Sequence, residues 1–528
     1  MTESPKALIV GAGPTGLVMA HELARDGIQC RLIDKASHRA MESRAIAIHS
    51  RTVETFELMG LADAFLGAGH RITGVNVNGE SGRIAHAAFG MLETRYPFVL
   101  GVPQDETERI LEERLAGHGV GVERNTELVS LAQRESGVSA RLRTADRVEE
   151  VEADWLLGCD GAHSTVREQL GISFSGATYP ELFVLADIKV DGDLDHAEAQ
   201  VWLHREGALA FFPLPEDRWR LIITNSPPDW HREPSLAQCQ ALVDERGLER
   251  LRLGDPRWTS VFRIHRREAA RFRQDRVFLL GDAAHIHSPV GGQGMNMGIQ
   301  DSFNLAWKLS LVLRSGGNAQ LLDSYEAERK PVDEAVIRQT DRGTRLISLH
   351  GSVARFVRDH LMSLLTQIPA AAEKLGEGLS GLAVNYRRSP IVEEHGAGMA
   401  GPAAGDRAPD AQLVAAKGGA PLRLYNLFAE HRHVLLLLGG GPEALPPTLP
   451  RLPESVFAAY RVVPPGTSGG DYVDCEGIVA QRYGSAPAAY LVRPDGYVGL
   501  RCDWRTVSAN LPRYLAKVFS SAGFAGSG

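Results

Sequence analysis

The sequence predicts an α/β fold made of several domains, and three observations support this prediction. The chain opens with a β-strand, a glycine-rich turn, a helix and a second strand, which together form one βαβ unit. Short runs of alternating polarity, separated by Asp, Gly and Pro, follow between residues 122 and 224 and indicate antiparallel or mixed sheet. Further apolar runs follow a Gly-, Ala- and Pro-rich stretch near the C-terminal end and indicate a separate α/β domain.

The composition fits a globular protein and argues against several other classes of protein. The 528 residues exceed one average domain, and 44% hydrophobic with 23% charged residues can form a sizeable core. A net charge of −8 without a basic run gives no reason to expect nucleic acid or an anionic membrane as partner. The five cysteines form no C-x-x-C pair, so we expect no metal site. The sparse cysteines, the absence of a signal peptide and the absence of a membrane-spanning run predict a cytoplasmic protein.

The opening unit contains a G-x-G-x-x-G turn formed by Gly11, Gly13 and Gly16. In such a turn the first glycine permits the tight bend, the second lets a pyrophosphate approach, and the third lets the helix pack closely. Asp34 ends the second strand, where a carboxylate can bind ribose hydroxyls. These features predict a dinucleotide site. The elements of this unit are a strand at 7–10, a helix at about 15–25 and a strand at 30–33.

A second glycine-rich segment, residues 439–444, also fits the dinucleotide pattern. Pro442 and Pro446 stand where its helix must begin and continue, and interior prolines break helices. We interpret this segment as a loop, so the chain has one dinucleotide fold. The other predicted strands are at 155–157, 183–188, 199–203, 209–212, 219–224, 277–280, 422–428, 434–438 and 490–492, and a long helix is predicted at 298–313 with helical character continuing to about 375.

Two later segments each place an aspartate at the C-terminal end of a strand, the edge at which open α/β sheets bind ligands. They are Asp160-Gly161 and Gly281-Asp282. The run Pro289–Asn296 follows, and its N–H groups with the positive end of the next helix dipole suit a ligand that carries negative charge. A reduced flavin, which is negatively charged on its pyrimidine ring, is such a ligand.

Taken in order, these three motifs resemble the fingerprints of single-component (class A) FAD-dependent aromatic hydroxylases. Ser43-Arg44-Ala45 and Pro103-Gln104 are similar to flavin-contacting segments of that family, and the likeness covers roughly residues 5–335. The segments 405–409 and 491–496 are similar to the thioredoxin-like tail of the phenol and polyketide hydroxylase branch. Because this tail lacks C-x-x-C, we expect it to be a packing or dimerisation surface, which leaves a homodimer open.

The resemblance implies a Rossmann-type FAD-binding domain interleaved with a β-sheet substrate domain, followed by a thioredoxin-like α/β domain. The predicted bounds are 1–175 with 265–335 for the FAD-binding domain, 176–264 for the substrate sheet, 336–394 for a helical segment, 395–409 for a linker and 410–528 for the thioredoxin-like domain.

The resemblance also implies cofactor contacts. Asp34, with Lys35 beside it, would bind the adenosine ribose, and Asp282 the pyrophosphate or ribityl linker. The carbonyl of Pro289 would lie near the flavin C4a and the substrate; Pro289 and Arg44 are the expected catalytic residues. The full set of implied cofactor-binding residues is Gly11, Gly13, Gly16, Asp34, Lys35, Arg44, Gln104, Asp160, Asp282, Pro289, Gly292, Gly294, Met295 and Asn296.

The activity implied is that of a monooxygenase that uses FAD, NADPH or NADH as transient co-substrate, and O2 to hydroxylate a phenolic or polycyclic aromatic small molecule through a flavin C4a-hydroperoxide. In such an enzyme the cofactor supplies the chemistry and the protein supplies position and dryness. The sequence indicates no convincing nucleophile or metal cluster, in keeping with this.

The substrate is expected between the flavin and the sheet at 180–225, but alternation does not tell which face each side chain takes. The candidate wall residues are Trp202, His204, Phe211, Phe212 and Arg220. The base that deprotonates the phenol stays open among His49, His204 and Tyr179. We expect His285 and His287 to be wall or packing residues.

Three other functions are weighed. Baeyer–Villiger oxygen insertion stays open, because relatives perform it with the same fold. A tryptophan-type halogenase is disfavoured, since no pair among the seven tryptophans has W-x-W spacing. A non-enzymatic FAD-binding scaffold is disfavoured because none of the three motifs looks degraded.

Overall fold

The computed structural model describes residues 4–39, 45–79, 82–227, 233–289, 291–315, 317–347, 376–439, 449–450 and 452–520. Within these residues the chain is a mixed α/β protein with three large sheets, called here the first, middle and C-terminal sheets. Two three-stranded sheets accompany them, formed by Glu127–Arg134, Gly137–Arg143 and Val148–Ala153 and by Ala47–Ile48, His70–Ile72 and Val99–Gly101. No helix among the described residues is both long and apolar enough to cross a membrane.

The first sheet confirms the predicted βαβ opening. Ala7–Val10 lies parallel to Cys30–Ile33 on one side and to Trp155–Gly158 on the other, and the helix Pro14–Arg25 connects the first two strands. All four residues of Ala7–Val10 are buried, as expected for a parallel strand covered on both faces. The spatial order of its strands is Arg273–Gln274, Val277–Leu279, Trp155–Gly158, Ala7–Val10, Cys30–Ile33 and Val122–Glu123.

The middle sheet contains the four strands predicted between residues 183 and 224. It also takes strands from outside the predicted range 176–264, namely Gly74–Gly79, Gly82–Ala88 and His285–Ile286. The helix Leu236–Glu245 packs on one of its faces through buried apolar side chains. The spatial order of its strands is His285–Ile286, Arg252–Ala269, Phe174–Asp191, Arg218–Thr224, Gly207–Leu214, Glu198–His204, Gly74–Gly79 and Gly82–Ala88.

The C-terminal sheet mixes parallel and antiparallel pairs and extends beyond the predicted domain. Glu393–His395 pairs with Leu500–Cys502, so the sheet includes a strand that begins ahead of the predicted linker 395–409. The predicted strands at 434–438 and 490–492 are confirmed. The spatial order of its strands is Glu393–His395, Val498–Asp503, Ala488–Val492, His433–Leu438, Phe457–Val463, Tyr472–Val473, Gln412–Ala415 and Leu422–Arg423.

The predicted strand at 422–428 is wrong after residue 423, because Leu424–Phe428 is a helix. Its buried residues Leu424, Leu427 and Phe428 have the spacing of one helix face, and the side chain of Asn426 accepts a hydrogen bond from the Arg423 N–H at 2.8 Å. Residues 440–448 of the predicted loop and residues 348–375 of the predicted helical segment lie outside the described residues.

The remaining helices cover the sheets and join them. The helix predicted at 298–313 is longer and begins at Gly294. The other α-helices are Ser50–Leu58, Ala62–Ala68, Gln104–Ala116, Thr165–Gln169, Ser324–Ile347, Ile478–Tyr483 and Val507–Val518, and the 3-10 helices are Phe89–Met91, Gly281–Ala283, Ala319–Asp323 and Trp504–Thr506.

A fully buried group of four charges joins the C-terminal sheet to the helices of the N-terminal part. Glu328 accepts hydrogen bonds from Lys308 at 2.7 Å and from both terminal nitrogens of Arg493 at 2.6 and 2.9 Å. Arg493 also pairs with Asp495, whose carboxylate accepts from the indole N–H of Trp307 at 3.1 Å. Buried charges are stable only when paired in this way.

Candidate functional site

The three sequence motifs meet at the carboxyl ends of the first sheet's strands. Gly11 has a φ of +102°, and a Cβ on it would overlap the carbonyl oxygen of Cys159, directly before Asp160. A Cβ on Gly281 would lie 2.6 Å from the hydroxyl oxygen of Thr15 in the first helix. Both glycines are therefore required where the motifs touch each other.

Arg167 links two of these motifs directly and was not predicted. Its guanidinium donates to the carbonyl oxygens of Ala162 and Ala283, each at 2.9 Å, and lies 3.8 Å from the ring centroid of Phe174. It thereby ties the segment after Asp160 to the segment after Gly281. Arg167 lies seven residues after Asp160, and this nearness in the sequence to the second motif was the available signal.

The three glycines of the first turn have different surroundings. A Cβ on Gly16 would overlap the carbonyl oxygen of Gly11, so this glycine allows the helix to pack against the turn. A Cβ on Gly13 would meet no atom within 4 Å, and its backbone angles, φ −75° and ψ −178°, suit any residue. Gly13 thus borders open space at a helix N-terminus, which fits the approach of a pyrophosphate.

Asp34 fastens the second strand to the glycine turn. One carboxylate oxygen accepts from the Ala12 N–H at 2.7 Å, and the other accepts from the Ala36 N–H at 2.8 Å. Each carboxylate oxygen has a second lone pair, so Asp34 can still accept from ribose hydroxyls. Lys35 beside it is exposed.

Asp160 and Asp282 differ in their surroundings. Asp160 accepts from the Ser164 hydroxyl at 2.5 Å and from the Val166 N–H at 3.1 Å, which makes it part of the cap of the helix Thr165–Gln169. Burial raises the pKa of Asp160. Asp282 is exposed at the same edge of the sheet. The capping contacts define Asp160's structural role, whereas Asp282 faces outward, as a cofactor ligand requires.

The glycine loop, defined as residues 289 and 291–296, leads into the long helix. The Gly292 N–H donates to the carbonyl oxygen of Pro289 at 2.9 Å, and Gly292 has a φ of +63°. Because the helix begins at Gly294, four residues earlier than predicted, Met295 lies in its first turn. The N–H groups of a first turn have no intrahelical partner and attract anions. The loop therefore fits the pyrimidine edge of a flavin.

Asn296 and His49 lock this loop to the segment Ala47–His49. The Asn296 amide donates to the carbonyl oxygens of Ala47 and Gly292, each at 2.8 Å, and accepts from the His49 N–H at 2.9 Å. The His49 ring donates through Nε2 to the carbonyl oxygen of Gly291 at 2.8 Å. Burial lowers the pKa of His49 to about 4, so the ring is neutral. Its Nδ1 has no hydrogen-bond partner among the described residues.

The sequence predicts His285 to be a wall or packing residue. In the structure it is buried and belongs to an ionic cluster. Its Nε2 lies 2.7 Å from Asp301 and 3.3 Å from Asp333, and Arg329 donates to Asp301 at 2.6 Å. Burial opposes protonation, but the carboxylates of Asp333 and Asp301 outweigh it and raise the pKa of His285 to about 9. Asp301 also accepts from the Gly281 N–H at 2.9 Å, so the cluster supports the strand end next to Asp282.

His287 stands just ahead of Pro289. Its Nδ1 donates to the carbonyl oxygen of Ser288 at 2.8 Å, and burial lowers its pKa to about 4. Its Nε2 is enclosed and has no partner within the described part of the chain. A neutral imidazole with a free acceptor nitrogen thus lies beside the glycine loop.

The structure divides the five candidate wall residues between the two faces of the middle sheet. Phe211 and Trp202 lie on the face under the helix Leu236–Glu245, with ring centroids 5.7 Å apart, and Phe211 is fully buried. His204 belongs to the same face and accepts from the Glu206 N–H at 3.2 Å. Phe211 and Trp202 therefore pack on the sheet's own core, whereas His204 is partly exposed on the same face.

Arg220 lies on the opposite face but is committed to a buried ion pair. It pairs with both oxygens of Asp187, which also accepts from the indole N–H of Trp258 at 3.1 Å. Phe212 faces the same side as Arg220 and is partly exposed. Its apolar neighbours on this face are Val201, Ala210 and Ile222, which are also partly exposed.

Two further predicted contacts are placed only in part. Gln104 accepts from the Ala45 N–H at 3.4 Å and donates to Glu108 at 3.0 Å, at the start of the helix Gln104–Ala116. Arg44 lies outside the described residues, and so does the side chain of Tyr179.

Comparison with known proteins identifies two families along the chain. Residues 5–340 match the FAD binding domain family, and residues 401–522 match the family described as aromatic-ring hydroxylase, C-terminal.

Named relatives extend this likeness over nearly the whole chain. The 6-methylpretetramide 4-monooxygenase of Streptomyces rimosus is 36% identical over 96% of this chain and 93% of its own length. The pentachlorophenol 4-monooxygenase of Sphingobium chlorophenolicum is 34% identical over 94% and 93%. A crystal structure of aklavinone-11 hydroxylase with FAD and aklavinone is 28% identical, with a TM-score of 0.75 over 98% of this chain and 100% of that one.

Proposed function

Because this chain belongs to the family of FAD-dependent aromatic-ring hydroxylases, we propose that it inserts one oxygen atom of O2 into a phenolic or polycyclic aromatic small molecule. NADPH or NADH supplies the two electrons. The reaction balances as substrate, O2, NAD(P)H and a proton giving hydroxylated substrate, water and NAD(P)+. The convergence of the three motifs on one edge of the first sheet is the observation that supports this proposal most directly.

The first sheet holds the FAD in a Rossmann-type arrangement. Gly13 leaves the space for the pyrophosphate, Asp34 accepts from the ribose, and Asp282 faces the linker between the two halves of the cofactor. The first-turn N–H groups at Gly294 and Met295 receive the pyrimidine edge. The family resemblance implies Arg44 and Gln104 as two further cofactor contacts.

When bound, FAD would supply the redox chemistry that connects NAD(P)H to oxygen and to the aromatic ring. This chain's own residues bind, orient and exclude water. The glycine loop, locked by Asn296 and His49, fixes the seat of the ring system, and the carbonyl oxygen of Pro289 faces the substrate. His49 and His287, both neutral, have acceptor nitrogens without partners among the described residues. Because burial lowers the pKa of His49, its ring would accept a hydrogen bond from a phenol rather than take up the phenolic proton.

The substrate lies against the partly exposed apolar face of the middle sheet. Phe212, with Ala210 and Ile222 beside it, presents an aromatic and aliphatic wall that suits a flat ring. We propose this face as the substrate wall instead of the face that carries Phe211, Trp202 and His204, because that face packs on the helix Leu236–Glu245. The C-terminal sheet belongs to a thioredoxin-like domain without C-x-x-C, which serves as a packing surface and, in a homodimer, as an interface.

The test begins with the purified yellow protein. NADPH added under argon should bleach the flavin band, and air should restore it; the same measurement with NADH establishes which nucleotide is preferred. A panel of phenols and aromatic polyketides should then contain at least one compound that stimulates NADPH oxidation and gains one oxygen atom by mass spectrometry.

Other outcomes refute parts of the proposal. A preparation that takes up no FAD, or FAD that NADPH and NADH leave oxidised, would favour a non-enzymatic scaffold. A ring-opened or lactone product would assign Baeyer–Villiger insertion instead of hydroxylation, because that reaction places the oxygen within a carbon–carbon bond.

A further inference from the structure

The helix Ser50–Leu58 contacts the glycine loop at one end. Along its side it contacts the C-terminal unit, defined as the described residues between 393 and 520. Its N-terminal cap is His49, whose backbone and ring reach Asn296 and Gly291. Any displacement of this helix therefore moves two of the hydrogen bonds that lock the loop.

Arg51 is the first of two contacts from this helix to the C-terminal unit. It donates to the carbonyl oxygen of Asp495 at 2.8 Å, and its guanidinium lies 4.8 Å from the ring centroid of Tyr497. The side chain is 3% exposed, so water does not screen these contacts. Asp495 and Tyr497 belong to the turn that precedes the strand Val498–Asp503.

Glu54, one helical turn later, is the second contact. It accepts from Arg51 at 3.1 Å, from Arg407 at 2.8 Å and from the Tyr425 hydroxyl at 3.1 Å. Arg407 and Tyr425 come from the C-terminal unit. Both segments that resemble the family's tail, 405–409 and 491–496, thus contact this one helix.

A second path reaches the same loop. The Gln293 amide donates to the carbonyl oxygen of Leu379 at 2.8 Å, and a Cβ on Gly381 would lie 3.3 Å from Cβ of Arg51. Residues 379–381 therefore lie against both the loop and the side chain that docks the C-terminal unit. Arg51 occupies the junction of the two paths.

We propose that Arg51 is a positioning residue through which the C-terminal unit holds the glycine loop closed around the flavin. The contacts at Asp495 and Tyr497 fix Arg51, Arg51 fixes the start of its helix, and His49 with Asn296 fixes the loop. The C-terminal unit then contributes to cofactor retention and dryness without touching the cofactor. The proposal rests on the proposed function, since it requires that the loop receives FAD.

The experiment compares Arg51→Met with His431→Gln in the full-length protein. His431 also joins the C-terminal unit to the N-terminal part, through Asp26 at 2.9 Å and Glu22 at 3.3 Å, but it docks on the far end of the helix Pro14–Arg25. It is therefore a matched interface variant that lies off the path to the loop. Three quantities are measured: the dissociation constant for FAD, iodide quenching of bound-flavin fluorescence, and hydrogen exchange of the loop amides in the apoprotein.

Arg51→Met should weaken FAD binding about tenfold, because a loop that is no longer preorganised must be ordered when FAD binds, and this ordering costs binding free energy. It should also increase iodide quenching and speed exchange in the loop. His431→Gln should lower thermal stability but leave all three quantities near the wild-type values. Arg51→Lys keeps the charge beside Glu54 and should give an intermediate effect, which also provides a folded variant if Arg51→Met does not fold.

Wild-type FAD affinity, quenching and loop exchange in both Arg51 variants would overturn the proposal. Equal changes in His431→Gln and Arg51→Met at equal loss of thermal stability would also overturn it, because they would show general loosening of the interface. A wild-type protein that binds no FAD refutes the proposed function instead, and the apoprotein exchange measurement still tests whether Arg51 orders the loop.

Discussion

The different surroundings of Gly13 and Gly16 predict opposite effects from the same substitution. Gly13→Ala adds a methyl group in open space, at backbone angles that alanine adopts freely. The apoprotein should keep its stability or gain about 0.4–1 kcal/mol, because alanine restricts the unfolded chain. The same methyl group occupies the space assigned to the pyrophosphate. Loss of one charge-assisted hydrogen bond of about 1.5–3 kcal/mol weakens FAD binding roughly 10- to 150-fold.

Gly16→Ala should act on the fold. Its methyl group would overlap the carbonyl oxygen of Gly11, so the helix Pro14–Arg25 must move away from the turn. Such overpacking destabilises by about 1–3 kcal/mol. Thermal unfolding of both apoproteins, followed by FAD titration with flavin fluorescence, separates the effects. A Gly13→Ala apoprotein less stable than wild type by more than about 1 kcal/mol, or one with wild-type FAD affinity, would refute the assigned roles.

Three further variants test buried groups and the sheet faces. Glu328→Gln removes the carboxylate partner of Lys308 and one of the two carboxylate partners of Arg493, and it should lower the free energy of unfolding by about 3–5 kcal/mol in a denaturant titration. The partly exposed Glu334→Gln is its control and should change stability by less than about 1 kcal/mol. Equal effects of the two variants would contradict the reasoning. Phe211→Ala should lower stability by roughly 3–5 kcal/mol, whereas Phe212→Ala should mainly raise KM for the aromatic substrate; the reverse pattern would show that the faces are misassigned. Burial lowers the pKa of His433 to about 3, so on acidification the unfolded chain binds a proton at this histidine before the folded chain does. The free energy of unfolding should therefore fall as the pH is lowered from about 6.5 toward 3. His433→Phe should flatten this loss in thermal unfolding across that range, and an unchanged slope would contradict it.

The sequence sufficed for the strand–turn–helix opening and for the two aspartates at strand ends, because these features depend on local patterns. It did not reveal which face of the middle sheet is covered. Phe211 and Phe212 are adjacent and of the same type, so the sequence does not tell which of them is buried. The helix Leu236–Glu245 covers the face of Phe211 and leaves Phe212 partly exposed. The choice of Phe211 and Arg220 as wall residues shows this limit.

Ionic partners were also beyond the sequence. Asp301 and Lys308 lie on the long helix Gly294–Ser315, and the sequence of that helix does not say which residues they pair with. Their partners Arg329 and Glu328 come from the next helix. The stretch 395–409 is predicted to be a linker because it is rich in Gly, Ala and Pro. Gly405, with a φ of +93°, instead lies against the backbone of Arg387 in close packing.

The turn that contains Arg493 and Asp495 has a consequence for recombination between related genes. Each part of the chain brings one acid and one base to the buried group, Glu328 with Lys308 and Asp495 with Arg493, so each part is electrically balanced before they meet. A C-terminal segment taken from a relative keeps the buried charges paired when its turn supplies both an arginine and an aspartate. A tail that supplies only one of them would leave an uncompensated charge away from water, and a chimera of that kind should accumulate as insoluble protein.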